Sequence, residues 1–210
     1  MGMRMACFVS GTRIATVDGP RPVETLRPGD GVLTRWGGPR PIRWVGRRAV
    51  DPPYHPWPNR VRPIRIAQYA LSPDVPACPV LVAPGQAICL DLADHDVTVI
   101  VPCGLLVNDR GIAQIDIGTV TYWAVELDTH DVIIAEGLFV ESYLDCGKRD
   151  NFELNGGPLR LFADFAPPQS AVPWALSGCL PLVLNGPMLH SARRLVSSET
   201  PAENRAAALG

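Results

Sequence analysis

Apolar and polar positions alternate with a period near two along much of the first 145 residues, and this alternation predicts many short β-strands. TRIATV (12–17) and PRPVETL (20–26) read as strands joined at Asp18-Gly19, a pair that favours a tight hairpin because glycine takes positive φ without steric cost. Pro28-Gly29-Asp30 marks a second turn leading into Val32-Leu33-Thr34, and PIRWVGRRAV (41–50) alternates as a further strand. DPPYHPWPNRVRP (51–63) is predicted to be a loop, since its five prolines cannot donate to a ladder. Strands are expected at 63–67, 79–83, 87–91 and 96–101, followed by a short LLVND. Over 119–128, Thr121, Trp123, Val125 and Leu127 share one face, while Tyr122, Ala124, Glu126 and Asp128 share the other, which predicts a half-buried strand with the second face in solvent. VIIAEG and LFVESY continue the pattern. Strands this short and this closely spaced predict an all-β fold, a sandwich or a closed β architecture.

The alternation ends after Asp145. Residues 149–181 read as loop, including Pro167-Pro168. PMLHSARRLV (187–196) then switches to helical spacing, with Met188, Leu189, Ala192, Leu195 and Val196 on one face and Pro187 at a first-turn position. Met188, Leu189, Ala192 and Leu195 are expected to pack on the β domain. Thr200-Pro-Ala-Glu203 has a capping-box pattern ahead of a short Ala-rich end. The predicted organisation is a short segment 1–6, a β domain over 7–148 and an appendage over 149–210 with a helix near 187–196.

Composition narrows the function classes. A chain of 210 residues with 47% hydrophobic and 19% charged residues is an ordinary globular one, able to bury a sizeable core. A net charge of -2 gives no general attraction to nucleic acid or anionic lipid. The run 35–48 holds five arginines and two tryptophans, yet the rest of the chain balances that charge, so no nucleic-acid partner is expected. No apolar stretch approaches a membrane span and no secretory signal is read, which makes a cytoplasmic protein the default expectation. The six cysteines are far apart without a C-x-x-C pair, so they read as small buried thiols, and neither a metal nor another cofactor is expected.

The segment from Cys7 to Val32, C-F-x-x-G-T-x-I-x-T-x-x-G-x-x-x-V-E-x-L-x-x-G-D-x-V, resembles the first block of Hint domains, the autoprocessing modules shared by hedgehog proteins and inteins. RPIRWVGRRAV (40–50), LLVND (105–109) and VELDTHDVIIAEGLFVESYLDCGKR (125–149) resemble the bacterial hedgehog/intein-like subfamily, and the likeness extends more weakly to GCLPLVLNGP in the tail. The resemblance implies a horseshoe of β-strands built from two pseudo-symmetric halves. It also implies a chemistry in which the thiol of Cys7 attacks the carbonyl of Ala6, converting an amide to a thioester that water or an external nucleophile resolves. A thiolate must form, and the departing nitrogen must gain a proton. In the family a histidine of a T-x-x-H block serves that second need.

Here the corresponding block is VLVAPGQAICLD (80–91), with Ala83 in the Thr position and Gln86 in the His position. A glutamine amide hydrogen-bonds but does not transfer a proton near neutral pH. Ala124 stands where relatives often carry another histidine, whereas His130 matches the histidine of the later block. Glu141-Ser142 replaces the terminal His-Asn of splicing inteins, so no asparagine is placed to cyclise and full splicing is not expected. Cys7 is thus the candidate nucleophile, His130 a candidate catalytic group, and Ala83 and Gln86 are degenerate positions. His95, in an Asp-His-Asp turn, is a remoter candidate, as are Glu126 and Asp128 as general bases. Two functions stay open. One is an autoprocessing domain with its own N-terminal segment as substrate, degenerate as written. The other is a non-catalytic β interaction module, favoured by Ala83, Gln86 and the short stretch ahead of Cys7.

Overall fold

The computed structural model describes residues 6–145, 147, 149–153, 159–166 and 177–198. It contains β1 (Phe8–Val9), β2 (Arg13–Thr16), β3 (Gly19–Pro22), β4 (Gly31–Val32), β5 (Arg40–Val50), β6 (Ile64–Ile66), β7 (Val80–Val82), β8 (Ala87–Leu92), β9 (Val97–Pro102), β10 (Ile112–Gln114), β11 (Val120–Leu127), β12 (Val132–Ala135), β13 (Leu138–Glu141) and α1 (Gly186–Ser198). The strands join in one 13-stranded sheet in the order β10-β6-β7-β1-β11-β5-β4-β2-β12-β13-β8-β9, with β3 added on β2. Among the described residues the protein is all-β with one α-helix, as its alternation predicts.

Turn chemistry sets several of these joints. In β2–β3, Thr16 pairs with Gly19, so the loop residues are Val17-Asp18 and Gly19 opens β3 with φ of +98°. The hairpin therefore sits one residue before the predicted pair, stabilised by the Asp18 N–H donating to the Thr16 hydroxyl at 3.2 Å. In β12–β13 both loop residues, Glu136 and Gly137, have positive φ (49° and 84°), the backbone a two-residue hairpin requires.

β5, eleven residues long, is the spine: it pairs with β11 on one side and β4 on the other. Apolar clusters form on both faces of the β5–β11 ribbon. Val125 and Leu127 join the larger core with Ile14, Ile42, Ile64 and Ile133. Tyr122 and Ala124 join a second cluster with Cys7, Val50, Phe152 and Phe165. The sequence expectation that the Tyr122 face meets solvent is therefore corrected. Glu126, expected on that open face, is buried and accepts from the Arg149 guanidinium at 2.7 Å. The cover comes from residues 152, 163 and 165, in a stretch whose sequence shows no periodicity.

Helix α1 begins at Gly186, with Pro187 in its first turn, and buries Leu189, Ala192 and Val196 against the larger core. Met188 and Leu195, expected in that contact, are 36% and 37% exposed. Polar contacts turn the helix by this amount: Ser191 donates to Asp94 and lies 3.0 Å from the His95 ring, and Asn108 donates to the Val196 carbonyl at 3.2 Å. Cys7, Cys89 and Cys103 are buried thiols, whereas Cys78 and Cys179 are exposed, against the expectation for all six; Cys146 lies outside the described residues. So do Pro167-Pro168 and the capping-box pattern at 200–203. No helix among the described residues is long and apolar enough to cross a membrane.

Candidate functional site

β1 is only two residues long, but it lies between two partners. Phe8 pairs with Val82 of β7 and with Trp123 of β11. The residue before it is held the same way, with the Ala83 N–H donating to the Cys7 carbonyl at 2.9 Å. This geometry fixes Cys7 in the middle of the sheet. Its relative exposure is 0%, and that of Ala6 is 4%. The bond between them is enclosed on both sides.

The thiol lies among Val9, Val61, Ala83, Tyr122, Ala124 and Phe165. Burial alone pushes its pKa well above the ordinary 9.0, and no cation offsets that push. Tyr122 is raised in the same way, first by burial and then by the charge Cys7 would carry. Its hydroxyl donates to the Val61 carbonyl at 2.7 Å, so it offers the sulfur no proton. In this cluster the side chains are small where chemistry would need polar groups: Ala83, bonded through its N–H to the Cys7 carbonyl, and Ala124, with Gly46 opposite it in the register. Aromatic rings fill the remaining space. The outer edge of the Trp44 indole occupies the space beside Gly46, where an added Cβ would meet Cη2 at 2.1 Å. Its ring centroid stands 5.5 Å from Tyr143 and 5.2 Å from Phe152.

Gln86 and His130 belong to a different assembly, centred on Glu141. The wholly buried Gln86 side chain donates from Nε2 to the carbonyls of Glu141 at 3.1 Å and Ala87 at 3.3 Å. The Glu141 carboxylate accepts the Ala87 N–H at 2.8 Å and stands 3.6 Å from His130 Nε2. His130 Nδ1 accepts the Cys179 N–H at 3.1 Å, so Nε2 carries the ring proton and points it at the Ser142 carbonyl, 3.1 Å away. Both ring nitrogens are thus occupied by the backbone. Among the described residues no hydrogen bond or ion pair joins this assembly to the Cys7 sulfur. A cleft of about 200 Å³ opens beside His130, lined also by Arg43, Glu126, Asp128, Tyr143 and Arg149.

The structure therefore brings Cys7 together with Ala83, and Gln86 together with His130. His95 is tied to α1 through Ser191. Two participants were missed by sequence reasoning. Glu141 carried a readable signal, a carboxylate at the end of an otherwise apolar strand, LFVE. Phe165 carried none.

The family model described as "Hint domain" matches residues 6–147. Among solved structures, a bacterial intein-like domain from Clostridium thermocellum is 13% identical, with a TM-score of 0.43 over 66% of this chain and 99% of that one. The MchDnaB-1 intein is 13% identical, with a TM-score of 0.40 over 64% of this chain and 99% of its own. The gp41-1 intein is 12% identical, with a TM-score of 0.39 over 64% of this chain and 98% of its own. Curated proteins give no match.

Proposed function

The chain belongs to the Hint domain family, and from that premise we propose that it is an autoprocessing-type domain whose N–S acyl shift at Ala6-Cys7 is inert in the folded protein. In the full reaction the Cys7 sulfur bonds to the Ala6 carbonyl carbon, the bond from that carbon to the Cys7 nitrogen breaks, and the nitrogen takes up a proton. Water then opens the thioester, releasing the upstream segment as a carboxylate and restoring the thiol. Two steps lack their agents here. Ionising Cys7 is opposed by burial with no compensating charge, and Gln86 has no proton to give the departing nitrogen. General acid catalysis contributes roughly 10²–10⁴-fold, a loss of about 3–5 kcal/mol of barrier lowering.

The complete burial of Cys7 in an apolar cluster is the observation that carries this reading. The same observation favours a second one, a β module that keeps the fold for interaction alone. An N-terminal fusion ahead of Ala6, incubated with dithiothreitol and followed by intact mass, separates them. The unaltered chain is expected to stay whole. The double variant Ala83→Thr, Gln86→His is expected to release the fusion partner, and Cys7→Ala to abolish that release. Release by the unaltered chain would contradict the inert state. Failure of the repaired variant would leave the interaction module as the better account.

A further inference from the structure

We propose that residues 159–166 form a strap that closes the Cys7 site, so that access to the thiol is governed by release of this segment. The proposal rests on the reading of Cys7 as the site's nucleophile and adds a control to it. The strap lies between the proline-rich loop and the turn that carries the degenerate positions: the Phe165 N–H donates to the Arg60 carbonyl at 3.1 Å, and the Phe165 carbonyl accepts the Gly85 N–H at 2.6 Å. From this line Ala163 and Phe165 turn inward and are buried in the Cys7 cluster, the Phe165 ring 4.6 Å from that of Tyr122. Leu161 and Phe162 turn outward, 80% and 41% exposed. The strap thus supplies part of the buried cluster that encloses Cys7.

Side chains of the β domain hold it down. Arg60 pairs with Asp164 Oδ2 at 2.7 Å, Asp164 Oδ1 accepts the Ala166 N–H at 3.2 Å, and the Asp164 N–H donates to Asn151 Oδ1 at 3.1 Å. The Arg48 guanidinium, buried on the cluster side of β5, donates from Nη2 to the Arg160 carbonyl at 2.8 Å and the Leu161 carbonyl at 3.2 Å, while its Nε and Nη1 have no hydrogen-bond partner among the described residues. A buried guanidinium with unpaired N–H groups gains little from the closed state, because water would satisfy them on opening. The strap also takes part in no strand ladder. A segment with few backbone bonds, capping an otherwise continuous sheet, opens at lower free energy than the sheet itself. Opening would hydrate the sulfur and remove the burial that keeps it protonated.

Alkylation of the folded protein with iodoacetamide, mapped by peptide mass, tests this directly. Cys103 serves as the internal reference, since it too is 0% exposed but belongs to the larger core. In the unaltered protein, sub-denaturing urea is expected to raise Cys7 labelling with a much weaker dependence than Cys103 labelling. The variant Arg60→Ala, Asp164→Ala is expected to label Cys7 at least tenfold faster with Cys103 unchanged. Labelling of the two cysteines in step in the unaltered protein, or a Cys7 rate indifferent to the variant, would overturn the strap. The readout is access and not processing, so the strap stands or falls whichever way the fusion experiment comes out.

Discussion

Two buried regions of this protein, one beside β1 and one at the end of β13, handle polarity in opposite ways. Around Cys7 a reactive group is kept, and everything that would activate it is apolar: Ala83, Ala124, Gly46 and a set of aromatic rings. Around Glu141 the ionisable groups are kept, and each has a fixed structural partner: the carboxylate holds the Ala87 N–H, and His130 bridges Cys179 and Ser142. A nucleophile without a base and a histidine without a substrate make a stable pair of cores. On the proposed reading they do not make a working acyl-transfer site. The difference teaches that a cysteine and a histidine in one fold are not by themselves a site: Ala83 and Gln86 stand in the turn between them, and the Gln86 amide is committed to backbone carbonyls.

The comparison is broken most severely at Glu141. Glu141→Ala deletes the acceptor of a buried N–H and the carboxylate beside His130, which is expected to cost about 3 kcal/mol or more in urea unfolding. Glu141→Gln keeps an acceptor and should cost under about half of that. Equal losses for the two would mean that hydrogen bonding is not what this carboxylate supplies. Less severe is Gly46→Ala, whose new methyl occupies the place of the Trp44 ring. Because that ring is held by Tyr143, Phe152 and the Arg149 guanidinium above it, it cannot swing away freely. A destabilisation of about 1–3 kcal/mol is expected, with a change in tryptophan fluorescence; neither would appear if the ring were loosely packed.

The smallest effect is the most specific. A buried thiol whose folded pKa is raised stabilises the fold fully below the ordinary thiol value of 9.0, and loses that contribution as pH climbs from there toward the folded value. Across that window the unfolded chain releases a proton that the folded chain retains. The unaltered protein should therefore lose up to about 1.4 kcal/mol per pH unit more than Cys7→Ala, seen as diverging urea midpoints above pH 9. Parallel curves would show a thiol that ionises freely in the fold.

Much of this arrangement was legible in the sequence, and the exceptions have a common cause. The alternation in 119–128 located β11, the first block located Cys7, and the block at 80–91 located Ala83 and Gln86. Periodicity also found α1, but it placed Met188 and Leu195 inward, because the contacts of Ser191 and Asn108 that rotate the helix lie between residues distant in sequence. The same holds for Tyr122 and Glu126. Their alternation marks two faces and is silent about what covers the second, which is supplied by Phe152, Ala163 and Phe165 from a stretch without any period. Pattern reports the surface a segment offers; the occupant is decided by the rest of the chain.

The state of the Cys7 sulfur is the point on which the account turns. Difference absorbance near the thiolate band, unaltered protein against Cys7→Ala, followed from about pH 6 to pH 10 with circular dichroism confirming the fold, reports that state alone. The account predicts no thiolate from Cys7 at or below 9.0, its ordinary value. A Cys7 thiolate forming below that value in the folded protein would contradict it, and would reveal an activating group that the apolar cluster does not contain.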